Sequence, residues 1–70
     1  MKLIANDYEP KEVIKIIREW TNKTQKEFGL DINKSKDTVQ IYELGRNKMS
    51  LDKFIEIAKK YNITITIEKK

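Results

Sequence analysis

The chain has 70 residues, with 15 Lys and Arg against 11 Asp and Glu, a formal net charge of +4, and neither cysteine nor histidine. That length suits one domain, residues 1–70, with a modest core. The inventory excludes disulfides, thiolate chemistry, histidine-based catalysis and zinc sites built on Cys or His, so no enzymatic activity, metal or cofactor is expected.

Two glycines, Gly29 and Gly45, cannot assemble a phosphate-cradling loop. The apolar runs fall far short of the roughly 20 residues of a membrane span. Residues 2–5 are followed at once by Asn6 and Asp7, too soon for a signal peptide. The expectation is a cytoplasmic protein without a membrane partner. A compact basic chain lacking catalytic groups points toward a polyanion.

In chain order, the first predicted helix covers residues 10–21. Pro10 suits its first position, where no N–H is needed, and Val13, Ile14, Ile16, Ile17 and Trp20 recur at helical spacing. A second helix starts at Thr24, which with Glu27 forms a capping box. Phe28 and Ile32 share its inner face, and Asn33 tolerates the left-handed turn that ends it. A third helix, capped by Ser35, runs to about Leu44. Val39 and Tyr42 pin it, and Gly45 stops it. A fourth starts at Ser50, with Leu51, Phe54, Ile55, Ile57, Ala58 and Tyr61 as an apolar stripe, and ends at Asn62.

Residues 63–67 then alternate isoleucine with threonine. They predict a β-strand over about 63–68, with Ile63, Ile65 and Ile67 on one face. A strand needs a partner, either residues 2–5 of the same chain or the same strand of a second subunit. The expected fold is mainly all-α: four helices with a short C-terminal β-strand.

Two short capped helices joined by a tight turn are the plan of a helix-turn-helix, here over residues 24–45. Gly29 supplies the small residue where the helices cross. Residues 18–28 (REWTNKTQKEF), 35–45 (SKDTVQIYELG) and 50–59 (SLDKFIEIAK) resemble the phage Cro and repressor type of helix-turn-helix domain, the XRE type. The resemblance spans roughly residues 10–62. It departs from the family pattern at Asn33, where Gly is usual, and at Lys23 and Lys34, where apolar residues are usual.

The resemblance implies a set of roles. Gln25 matches a residue that bonds a DNA phosphate. Lys36, Asp37, Gln40 and Ile41 match the exposed face of a recognition helix that enters the major groove, with Ser35 and Thr38 in the same stretch. Arg46, Asn47 and Lys48 match a loop near the phosphates. Arg18 and Glu43 match a structural ion pair.

The chemistry of these side chains agrees. Lys36 suits guanine O6 and N7, Gln40 adenine N6 and N7, Asp37 cytosine N4, and Ile41 a thymine methyl. Lys34, Arg46 and Lys48 bring charge to the phosphate backbone, which positions without specifying; the plainer alternative is that these cations form a solvated rim. The implied function is sequence-specific binding of double-stranded DNA as a transcriptional regulator, a repressor acting by operator occupancy. One such helix reads few base pairs, so a homodimer on a pseudo-palindrome is expected. The alternative function is a protein-interaction module, such as an antitoxin-like subunit that grips a protein partner.

Overall fold

The computed structural model describes residues 2–69. A short 3-10 turn, Ala5–Asp7, precedes four helices: α1 Pro10–Trp20, α2 Gln25–Asp31, α3 Lys36–Leu44 and α4 Leu51–Lys60. Each boundary has a local cause. Pro10 opens α1, and the Glu9 N–H donates to Glu12 Oε1 at 3.0 Å. Thr24 and Glu27 close the capping box of α2: the Glu27 N–H donates to Thr24 Oγ1 at 3.1 Å, and the Thr24 N–H donates to Glu27 Oε1 at 2.9 Å. The Thr24 N–H, with the Thr24 hydroxyl second, holds the Glu27 carboxyl below the ordinary glutamate pKa. The hydroxyl of Ser50 accepts the Lys53 N–H at 3.1 Å and caps α4.

The helices meet around Val13, Ile17, Phe28, Ile32, Val39 and Ile57, with Leu3, Met49, Phe54, Tyr61 and Ile63 packed around them. Phe28, Val39 and Ile57 are fully buried, and burial of each such side chain contributes about 1.5–3 kcal/mol. Phe28 stacks on Tyr61 with ring centroids 5.7 Å apart. The Tyr61 hydroxyl donates to Asp31 Oδ2 at 2.7 Å. Lys53 Nζ donates to the Ile32 carbonyl at 3.2 Å, satisfying an acceptor at the end of α2.

Two expectations need correction. The described residues contain no strand: the tail after Asn62 runs without ladder bonds. Residues 2–5 do not pair with it, and Ala5 lies in the 3-10 turn instead. Alternation supplied two faces, but Ile63 went to the core, its N–H donating to the Ala58 carbonyl at 2.7 Å as part of the cap of α4. The residue anchoring the tail is thus used in ending a helix rather than in starting a sheet. Second, the stripe of α4 is only partly buried. Ile57 and Ala58 turn inward, while Leu51 is 72% exposed and Ile55 is 37% exposed. Helical spacing places both at the edge of the core-facing arc.

Candidate nucleic-acid interface

The turn between α2 and α3 is set by backbone sterics. Asn33 has φ 59°, in the left-handed region, so asparagine performs the task that falls to glycine in the family pattern. The Lys34 N–H then donates to the Gly29 carbonyl at 2.8 Å. A Cβ on Gly29 would stand 2.5 Å from the Lys34 backbone oxygen. This close approach is why position 29 carries no side chain. Lys34 points into solvent, while Lys23 is half-buried and its carbonyl accepts from Arg18 Nη1 at 2.9 Å. Both departures from the family's apolar pattern are therefore accommodated.

Beyond the turn, Ser35 Oγ accepts the Thr38 N–H at 3.1 Å, and the two hydroxyls lie 3.0 Å apart. These hydroxyls, expected among the DNA-facing groups, are thus engaged with each other at the start of α3. Val39 is fully buried on the inner side, with Thr38, Tyr42 and Glu43 half-buried beside it. The opposite side carries Lys36, Asp37 and Gln40, all exposed, and Ile41, which is half-buried and so less available than expected. Leu44, 52% exposed, lies one turn beyond Gln40 and extends this outward face; its apolar character had assigned it no place there. Gly45 ends α3 at φ 76°, and Arg46, Asn47 and Lys48 follow in an exposed loop.

The orientation of α3 is fixed by charge. Arg18 on α1 donates through Nε to Glu43 Oε2 at 2.7 Å and through Nη2 to Glu43 Oε1 at 3.0 Å, a bidentate pair. The two side chains are 17% and 7% exposed. The Glu43 hydrogen bond raises the Arg18 pKa, with burial opposing it. Gln25 Nε2 lies 3.4 Å from Glu43 Oε1. The side chain expected at a phosphate is thus joined to the same carboxylate from α2, so three elements meet at one acidic group. Sequence reasoning found Arg18 and Glu43 only through the family pattern. It missed Lys53 and the Asp31–Tyr61 bond, which join positions too far apart to leave a local signal.

A capped helix, a tight left-handed turn and a second capped helix pinned on its inner face define a helix-turn-helix. A family model described as Helix-turn-helix matches residues 14–67. The chain belongs to that family, as an XRE-type, DNA-binding domain of the kind found in transcription regulators. No curated protein and no solved structure matched the chain. No helix among the described residues is long and apolar enough to cross a membrane.

Proposed function

We propose that the chain is a cytoplasmic repressor that binds a specific double-stranded DNA site as a homodimer and acts by occupying its operator. The observation that carries this reading is the division of α3. Val39 is wholly buried on one side, while Lys36, Asp37 and Gln40 stand free on the other. A helix pinned inward has little backbone freedom left to lose on binding, so the ordering cost falls on its outer side chains alone. Lys36 and Gln40 then read base edges, with Asp37 and Ile41 flanking them. Lys34, Arg46 and Lys48 neutralise phosphates, and Gln25 and Asn47 bond to them. Ser35 and Thr38 hold the N-terminus of α3, whose positive dipole end favours a nearby phosphate. A second copy doubles the number of base pairs read.

Selection of bound duplexes from a random pool, followed by titrations at two salt concentrations, tests the reading. Arg46→Ala is expected to weaken all sequences evenly and to reduce the magnitude of the salt slope by about 1. Lys36→Ala is expected to relax preference at one base position, by about 1–3 kcal/mol. Duplex binding identical to wild type in both variants overturns the proposal.

A further inference from the structure

Leu44, the last residue of α3, is 52% exposed and lies outside the set expected to face DNA. Counting about 100° per residue from Lys36, Gln40 stands at about 40°, Leu44 at about 80° and Asp37 at about 100°. In projection Leu44 therefore falls between Gln40 and Asp37, about 140° from the buried Val39. Its place is fixed by the end of the helix. Gly45 turns the chain at φ 76° directly after it, and the Arg46 N–H donates to the Ile41 carbonyl at 3.1 Å. Leu44 and the exposed Arg46–Lys48 loop thus leave α3 at one corner.

A single exposed leucine is ordinary on a protein surface. This one stands among Lys36, Asp37 and Gln40, on the face that the fold turns toward DNA. Phosphates offer an isobutyl group nothing. Among the base-edge groups of the major groove, the apolar one is the C5-methyl of thymine. That methyl lies outward of the thymine O4, toward the sugar–phosphate wall of its own strand. Leu44 stands about 12 Å along α3 from Lys36, next to the loop assigned to phosphates, and so nearest such a wall. Ile41, the other apolar side chain of this stretch, is half-buried.

We infer that Leu44 is a specificity-determining residue, packing on the C5-methyl of a thymine beyond the base pair read by Gln40. The inference rests on the reading of α3 as the helix that enters the major groove, and it gives the thymine contact to Leu44 rather than to Ile41.

The probe is the duplex that wild type selects from a random pool, with each thymine replaced in turn by uracil, which lacks only the methyl group. In anisotropy titrations, wild type is expected to lose about fourfold in affinity at one thymine. Leu44→Ala is expected to bind the thymine duplex at least about fourfold more weakly and to show no further loss with uracil there, its helical circular dichroism unchanged. Leu44→Met, still apolar, and Ile41→Ala are both expected to keep the uracil effect. The inference is overturned when uracil matches thymine at every position, when the uracil effect survives Leu44→Ala, or when Ile41→Ala abolishes it. In each of these cases a selected duplex still binds, which separates them from failure of the DNA reading, where the pool yields no enriched duplex and both fall.

Discussion

Where α3 meets α1 the contact is polar: Arg18 and Glu43 share two hydrogen bonds of 2.7 and 3.0 Å, and Gln25 joins from α2. Where α2 meets the end of α4 it is aromatic: Phe28 stacks on Tyr61, and one phenol bonds Asp31 at 2.7 Å. Apolar burial is nondirectional and scales with area, so the aromatic contact supplies free energy and tolerates small rotations. A bidentate guanidinium–carboxylate pair fixes an angle, while its net contribution to stability is small once desolvation is counted. Helix α3 is oriented by the directional contact, while the aromatic one stabilises the core on which α3 packs.

The contrast breaks most visibly at Phe28. Phe28→Ala is expected to cost about 3–5 kcal/mol, a large part of the roughly 4–10 kcal/mol available to a domain of this size. Thermal unfolding followed by circular dichroism checks this, and a midpoint lowered by only a few degrees contradicts it.

A smaller loss is expected for Glu43→Gln, about 2 kcal/mol, because Arg18 keeps some solvent contact when its partner is neutralised. Here the informative comparison is between stability and affinity. The double variant Arg18→Met with Glu43→Leu is expected to regain the melting temperature but not the DNA affinity, since apolar groups replace the burial and not the angle. Equal recovery of both shows that the pair has no orienting role.

The smallest effect belongs to Tyr61→Phe, about 1 kcal/mol at neutral pH. Its pH dependence sharpens the comparison. Burial, with the Asp31 bond second, raises the phenol pKa above its ordinary value of 10.0. The unfolded chain therefore ionises first as pH rises, so the stability Tyr61 contributes is present below about pH 10 and declines above it. Alkaline unfolding of wild type against Tyr61→Phe is expected to show a shallower decline in the variant. Parallel curves show that the phenol titrates alike in both states.

What could be read from sequence was local. Thr24, Ser35 and Ser50 act within three residues of themselves, and Asn33 and Gly45 act through their own dihedral angles, so each was visible where it stands. The core face of α1 followed from a complete helical repeat. Leu51 and Ile55 fall on the predicted stripe yet stay exposed, because periodicity reports that a face is apolar, and not how far the core extends across it. The tail was misread because alternation describes a strand's two faces while a strand exists only with a partner ladder. Gln25 was located correctly on the first motif helix, but its bond to Glu43 joins positions eighteen residues apart and leaves no mark on the pattern.

Asparagine stands in the left-handed region not only at Asn33 but also at Asn22 and Asn62. Glycine would adopt those angles with less strain, but it would also widen the range of shapes open to the denatured chain. With a side chain at each of these corners, the ensemble from which folding starts is narrower. A small scaffold with little apolar mass therefore draws part of its persistence from what its unfolded form cannot do.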